Sequence, residues 1–173
     1  KSAKPFSGWP FQPLATVTPP SGSLPTSHPV DDFIAARLVE KGLSLNPEAD
    51  RRTLLRRSSF DLLGLPPSPE ALEACEQDTA IGAWDRALDR MLAQPQHGER
   101  WARHWLDVAR FAESSGFEHD YDRPGAYHYR DFVIKALNAD MPFDQFVHWQ
   151  LAGDEFEPEN PLALMATGFL GAG

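Results

Sequence analysis

The sequence predicts an all-α fold, an irregular helical bundle of about six or seven helices behind an extended, Pro-rich N-terminal arm. No segment alternates apolar and polar residues over the length that a half-buried strand needs. Apolar residues instead recur at helical spacing, with capping residues or prolines at the starts and glycines at the ends of these segments. We therefore expect an arm or interdomain connector over residues 1–28 and a helical domain over residues 29–173, truncated at its C-terminal end.

The predicted arm is dense in proline, which interrupts any helix because the ring removes a hydrogen-bond donor and clashes with the preceding turn. Trp9, Phe11 and Leu14 make the same segment apolar. We expect a strap lying across the domain or a connector from a preceding domain. Its prolines are Pro5, Pro10, Pro13, Pro19, Pro20 and Pro25.

Signals for the beginnings and ends of helices recur along the rest of the chain. A first helix is predicted to begin at Pro29 and stop at Gly42, and a second to begin after Asp50 and end at Gly64. Two further helices are predicted from Ser68 to about residue 77 and from about 82 to 93. The next begins at about residue 96 and lies within residues 96–122. The last three are predicted over 125–138, from Pro142 and from Asn160.

The stretch over residues 96–122 is the predicted centre of the domain. Glu113 falls on the apolar side of its helical pattern, and Arg130 falls on the apolar side of the 125–138 helix. Because a buried unpaired charge costs several kcal/mol, we expect a buried structural ion pair between Glu113 and Arg130, with Tyr127, Tyr129 or Ser114 completing its hydrogen bonds. The alternative is a Glu113 that faces a cleft and acts on a ligand. The apolar arc comprises Trp101, Ala102, Trp105, Leu106, Val108, Ala109 and Ala112.

Composition excludes several classes of protein. A net charge of −9 argues against nucleic-acid binding, which normally requires a basic surface. No apolar run approaches the roughly 18 residues of a membrane-spanning helix. The single cysteine, Cys75, excludes an internal disulfide and a cysteine-based zinc cluster within these residues, and its helical context favours a small core residue.

Two other groups are candidate ligand sites. Glu118, Asp120 and Asp122 concentrate oxygen ligands, and a partial calcium-loop spacing makes calcium a candidate, although Pro124 and Asp131 depart from that pattern. A solvated polar loop is the alternative. An arginine cluster on the second helix is either a dock for carboxylates or a solvated face paired with neighbouring acids. It comprises Arg51, Arg52, Arg56 and Arg57.

His104 lies three residues before Asp107 and is a candidate catalytic base or axial haem ligand. A surface ion pair is the plainer interpretation. The sequence lacks a nucleophile elbow, a phosphate loop and a dinucleotide fingerprint, so no reaction is identifiable from it.

A succession of motifs carries a family resemblance. In chain order these are WPFQPL, HPVDDFIAARL, ADRRTLLRRSSFDLLGLPPSPE, HGERWARHWLDVARFAESSGFEHD, RPGAYHYRDFVIKALNADMPFDQFVHWQLAGDE and ATGFL. Together they resemble the planctomycete cytochrome-associated domain family of unknown function. The resemblance implies a module of a large extracytoplasmic protein, periplasmic or at the cell surface. Its partners would be other domains of the same polypeptide, including a cytochrome c-like domain.

The chain departs from that family at its C-terminal end. Members continue beyond the GFL stretch into a Cys-x-x-Cys-His haem-attachment motif, whereas this chain stops at Gly173. The resemblance therefore implies no haem attached within this chain and haem c in a longer parent. If haem lies nearby, Arg52 and Arg56 are expected to face its propionates, and an axial nitrogen would come from His104, His119 or His128.

Three functions remain open at this point. The first is a non-catalytic helical module supporting electron transfer or domain assembly. The second is part of an extracytoplasmic oxidoreductase acting on an environmental polymer, with a cleft lined by Glu113, His104 and residues 118–122. The third is a carbohydrate-binding module that uses Trp9, Trp84 or Trp149. An enclosed Glu113 in contact with Arg130 favours the first function, and a Glu113 open to a pocket beside a histidine favours the second.

Overall fold

The computed structural model describes residues 15–20 and 28–172, and these residues form eight α-helices with no named strand. The all-α prediction is confirmed. The chain divides into two compact units, one ending at Glu48 and one beginning at Ala49. Residues 15–20 of the predicted arm are irregular, while Trp9, Phe11 and Leu14 lie outside the described residues. None of the described helices is long and apolar enough to cross a membrane.

In the first unit, α1 spans Pro29–Glu40. His28 caps its start by accepting a hydrogen bond from the Val30 N–H at 3.2 Å, and Gly42 follows its end in the left-handed conformation. Three of the residues on its predicted apolar face are exposed, namely Val30, Phe33 and Ile34.

The second unit begins with three helices around a small core. These are α2 (Arg51–Leu63), α3 (Pro69–Gln77) and α4 (Ala83–Leu92). Asp50 accepts from the Thr53 N–H at 2.8 Å, and Gly64 ends α2 in the left-handed conformation, as the capping signals predict. Cys75 is buried in this core, as predicted, and Leu92 at the end of α4 is exposed. The buried residues of the small core are Leu55, Cys75, Ala87 and Met91.

The main core lies among the four remaining helices, α5 (Pro95–Val108), α6 (Tyr127–Asn138), α7 (Phe143–Phe156) and α8 (Pro161–Ala166). A 3-10 turn, Thr167–Gly171, follows α8. The centre of the core is on α6, where Phe132 and Val133 are fully buried and stand on the apolar face that the sequence predicts. Trp149 of α7 and Ala163 of α8 pack against the same cluster.

Helix α5 ends earlier than the sequence pattern indicates. The Phe111 N–H donates to the Leu106 carbonyl at 2.9 Å, and the Arg110 N–H donates to the Asp107 carbonyl at 3.1 Å. Arg110 has φ 56°, so the chain leaves the helix through a left-handed residue in a Schellman arrangement. Glu113 therefore lies beyond the helix, and the prediction that it stands on the apolar side of α5 is wrong. Trp101 and Val108 of the predicted arc are exposed as well.

A buried hydrogen-bond network joins α5, α6 and α7. The side-chain oxygen of Gln150 accepts from the indole N–H of Trp105 at 2.8 Å and from the hydroxyl of Tyr129 at 2.7 Å. The Gln150 amide nitrogen donates to the Phe146 carbonyl at 2.9 Å. Burial raises the pKa of Tyr129 to about 12, against a smaller lowering effect of the Trp105 hydrogen bond, so the phenol remains a donor at neutral pH. Every polar group of this network is thus satisfied.

The buried face of α7 differs from the predicted one. The apolar pattern from Pro142 predicts an inward face of Phe143, Phe146, Val147 and Leu151. Phe143 and Leu151 are exposed, whereas Trp149 and Gln150 are buried. Gln150 is polar, and its hydrogen bonds to two other helices hold it in the interior. This rotation of α7 also brings Gly153 against α8, where an added Cβ would stand 2.4 Å from the Ala163 carbonyl oxygen.

The network predicts the effect of removing its acceptor. Gln150→Ala leaves the buried Tyr129 hydroxyl without its acceptor and the Trp105 indole N–H with the Tyr129 oxygen alone, 3.0 Å away. We expect a loss of about 1–3 kcal/mol in the free energy of unfolding, measured by urea denaturation. Gln145→Ala, on the same helix at a partly exposed position, is the matched control and should change it by less than about 0.5 kcal/mol. Equal losses in the two variants would show that the network does not hold the three helices together.

Candidate functional site

Between α5 and α6 the chain forms an ordered loop over residues 113–123, here called the aromatic loop. Its two arms are joined near the base, where the Arg123 N–H donates to the Glu113 carbonyl at 2.8 Å. A second hydrogen bond, from the Ser115 N–H to the Tyr121 carbonyl, measures 2.9 Å. These bonds make a short antiparallel bridge that holds the loop closed.

Asp120 holds the tip of the aromatic loop. Its carboxylate accepts from the Gly116 N–H at 2.8 Å, across the 3-10 turn Phe117–His119. The Ser114 hydroxyl, and after it this backbone N–H, lower the pKa of the Asp120 carboxyl below its ordinary value. The loop is therefore fixed by its own polar groups at both its base and its tip.

The aromatic loop presents two large aromatic side chains to solvent. Phe117 is 93% exposed and Tyr121 is 70% exposed. The His119 ring lies against Tyr121, with 5.9 Å between ring centroids. Phe117 also has φ 61°, a left-handed conformation that costs a bulky side chain roughly 1–3 kcal/mol. The loop thus holds an exposed aromatic side chain in a left-handed backbone conformation, on a segment fixed by its own hydrogen bonds.

The structure brings Glu113 and Arg130 together at the base of the aromatic loop. A guanidinium N–H of Arg130 donates to the Glu113 carboxylate, and the Arg130 Nε lies 3.5 Å from a carboxylate oxygen of Asp131. The Glu113 side chain is 56% exposed and that of Arg130 is 39% exposed, so the expectation of a buried pair is wrong. The physical reason is the early end of α5, which leaves Glu113 on a surface loop. Tyr129, expected to complete the pair, bonds instead to Gln150.

The predicted calcium ligands do not form a cluster. Nowhere in residues 15–20 and 28–172 do three or more histidine, cysteine or acidic side chains stand where they could hold a metal ion together. Asp120 uses its carboxylate to order the loop tip, and Asp131 lies beside Arg130. The structure therefore does not gather Glu118, Asp120 and Asp122 into a metal site.

Two cavities of the second unit contain predicted site residues. One, of about 640 Å³, is largely apolar and is lined by His128 and Tyr129 among others. The other, of about 610 Å³, lies along α5 and is lined by His104. Neither lining includes Glu113 or residues 118–122. The predicted cleft formed by Glu113, His104 and residues 118–122 is thus not assembled at either cavity.

The histidines considered as haem ligands lie on separate elements. His104 is on α5 against Trp101, with ring centroids 5.4 Å apart. His119 belongs to the aromatic loop, and His128 near the start of α6 contacts the Tyr127 ring at 4.1 Å. His104 and His128 line different cavities.

The arginines of α2 are engaged within the chain. Arg52 forms an ion pair with Glu76 at 2.8 Å, and Arg56 lies over the Phe60 ring at 5.1 Å. Arg51 donates to backbone carbonyls at the end of α3. These contacts match the interpretation of a solvated face paired with its neighbours. Contact of Arg52 and Arg56 with haem propionates, and an axial nitrogen from His104, His119 or His128, stay predictions.

Sequence reasoning missed the main features of this region. It considered the charged residues of the loop and overlooked Phe117 and Tyr121. The pattern that could have identified them is a pair of aromatic residues in an otherwise polar, glycine-containing segment. Of the tryptophans proposed as a carbohydrate platform, Trp149 is buried and Trp84 is partly buried against the small core.

The exposure of the Glu113–Arg130 pair predicts a small effect on stability. We expect Glu113→Gln to lower the free energy of unfolding by less than about 1 kcal/mol, because water screens an exposed pair. A double-mutant cycle of Glu113→Gln with Arg130→Gln should likewise give a coupling free energy of less than about 1 kcal/mol. A loss of about 3–5 kcal/mol, which is the usual cost of breaking a buried pair, would contradict this arrangement.

The lowered pKa of Asp120 predicts a pH-dependent loop. The pKa of the Asp120 carboxyl is lower in the folded protein than in the unfolded chain. The ionised carboxylate therefore orders the loop at pH values above the unfolded-state pKa, and this ordering is lost as the pH falls through the folded-state pKa. We expect the Gly116 amide NMR signal to titrate below the ordinary aspartate value of 3.8. Ser114→Ala should raise that midpoint, and Ser115→Ala, the neighbouring control, should leave it unchanged. A midpoint that is insensitive to Ser114→Ala would remove the proposed hydroxyl contact.

Comparison with known proteins places the chain by its sequence. The family model PSCyt2, described as "Protein of unknown function (DUF1549)", matches residues 29–173. This range includes all eight described helices. No curated protein and no solved structure matches the chain. Since the family model covers well over half of its length, the chain belongs to the PSCyt2 family of proteins of unknown function.

Proposed function

We propose that the chain is a non-catalytic helical module of an exported multidomain protein, and that its aromatic loop docks onto a cytochrome c-like domain of the same polypeptide. The docking supports electron transfer or domain assembly. The extracytoplasmic location and the cytochrome partner follow from the motif resemblance described above. The docking surface follows from the geometry of the loop.

This proposal rests on the exposure and the backbone conformation of Phe117. Its side chain is almost wholly exposed, and its backbone is left-handed, on a loop fixed by hydrogen bonds. Burying a phenylalanine against a partner contributes about 1.5–3 kcal/mol. A loop that is already ordered loses little conformational freedom on binding, so more of that energy is available for association.

The size of the surface suits a transient contact. The aromatic surface of the loop consists of the exposed Phe117 and the His119–Tyr121 ring pair, and weak redox encounters bury less area than stable complexes do. A small apolar patch allows a partner domain to approach and leave, which electron transfer between domains requires.

A catalytic role for Glu113 and His104 has less support. The alternative oxidoreductase needs both residues, with the 118–122 segment, in one cleft. Glu113 is paired with Arg130, and the cavity that His104 lines includes neither Glu113 nor that segment. We therefore assign the loop a binding role.

The proposal is tested by titrating the cytochrome c-like domain of the parent polypeptide into the isotope-labelled chain. We expect the amide signals of residues 113–123 to shift, and Phe117→Ser to weaken binding about tenfold or more. Ile81→Ser is the matched control, because Ile81 is a fully exposed apolar residue outside the loop, and it should bind as the wild type does.

Unchanged Gly116 and Asp120 signals in Phe117→Ser would show that the loop keeps its fold. If Phe117→Ser and Ile81→Ser bind equally well, or if the loop signals do not shift, the docking proposal is wrong.

A further inference from the structure

A cationic groove runs along the exposed side of α5. Arg100, Arg103, His104 and Arg110 line it, and we call it the arginine groove. Its volume is about 610 Å³. The first three residues follow one another at spacings of three and one, so they lie along one side of the helix. Arg110 joins them because its left-handed backbone ends the helix at that point.

The arginines of this groove lack carboxylate partners. Among the described residues, Arg37, Arg52, Arg86 and Arg130 each pair with a carboxylate. No such ion pair is formed there by the three arginines of the groove. Asp107 is the one acidic residue in the groove lining. Unpaired cations concentrated at one place are unexpected in a chain with a net charge of −9.

Arg100 has a further unsatisfied group. Its Nε is buried, and it has no hydrogen-bond partner in the described part of the chain. The side chain is held in place because its Cδ packs against Gly64, where an added Cβ would stand at 2.9 Å. The buried Nε is closed to a ligand in the groove, but this packing fixes the position of a side chain that lines it.

We propose that the arginine groove binds a doubly charged oxyanion, a phosphate or sulfate group. Guanidinium groups suit such a ligand because their planar fork donates two parallel hydrogen bonds to its oxygens. A dianion fits better than a single carboxylate, because three arginines face only one aspartate. The ligand is either the free ion or the charged end of a phosphate monoester, which keeps close to two negative charges at neutral pH.

The remaining walls of the groove fit the ester form. Leu106 and Phe111 are partly buried and give the lining an apolar part. His104 contacts Trp101 edge to face, which restrains its ring at the same lining. None of the groove residues belongs to the aromatic loop, so this site is independent of the proposed docking.

The test is calorimetric titration of the chain with inorganic phosphate at constant ionic strength, with chloride as the balancing salt. We expect saturable binding that Arg103→Gln weakens about tenfold. Arg90→Gln makes the same change of net charge at an exposed residue outside the groove lining, and it should bind as the wild type does. Asp107→Asn should strengthen binding several-fold, because it removes the one opposing charge.

Circular dichroism and unfolding midpoints check that each variant remains folded. The proposed site is wrong if Arg103→Gln and Arg90→Gln weaken phosphate binding equally. It is also wrong if Asp107→Asn leaves binding unchanged, or if the wild type shows no saturable phosphate binding. Phenyl phosphate binding more tightly than phosphate would assign the ester, and the reverse order would assign the free ion. Phe117→Ser should bind phosphate normally, so this result is separable from the docking test.

Discussion

The side-chain oxygen of Gln150 is the point on which the arrangement of the main core depends. It accepts hydrogen bonds from Trp105 of α5 and Tyr129 of α6, while it stands on α7 itself. Since a buried donor without an acceptor is costly, the three helices are held within hydrogen-bond distance of one another. Apolar packing alone would tolerate other rotations of α7. The shared acceptor selects the one that buries Gln150 and leaves Phe143 and Leu151 at the surface.

Two surface features of the second unit, the aromatic loop and the arginine groove, lie at the end of α5. Helix α5 ends in a left-handed arginine, and the chain then forms a loop whose base and tip are held by hydrogen bonds and by an exposed ion pair. The ion pair contributes little to stability because water screens it. Its position at the junction of the loop and α6 nevertheless restrains the direction in which Phe117 and Tyr121 project.

The aromatic loop and the arginine groove differ in the ligands that they suit. The loop offers exposed aromatic rings among acidic side chains, which suits the surface of a protein partner. The guanidinium groups of the groove form no ion pair with a carboxylate of the described residues, which favours an oxyanion as ligand. They flank the same helix end, since Arg110 and Phe111 line the groove and Glu113 begins the loop. The left-handed turn at Arg110 therefore shapes both surfaces.

The sequence by itself determined most helix boundaries, the all-α class and the apolar face of α6, because capping and periodicity act between residues a few positions apart. It also identified Glu113 and Arg130 as charges that need partners. Only the tertiary structure decided that this pair is exposed, that α5 ends at Val108 and that Gln150 is buried. An arginine in a left-handed turn carries no glycine signal, and the partners of Gln150 lie on helices far from it in the sequence. Local sequence patterns do not predict such contacts, since a polar side chain is buried only where groups distant in the sequence provide its hydrogen-bond partners.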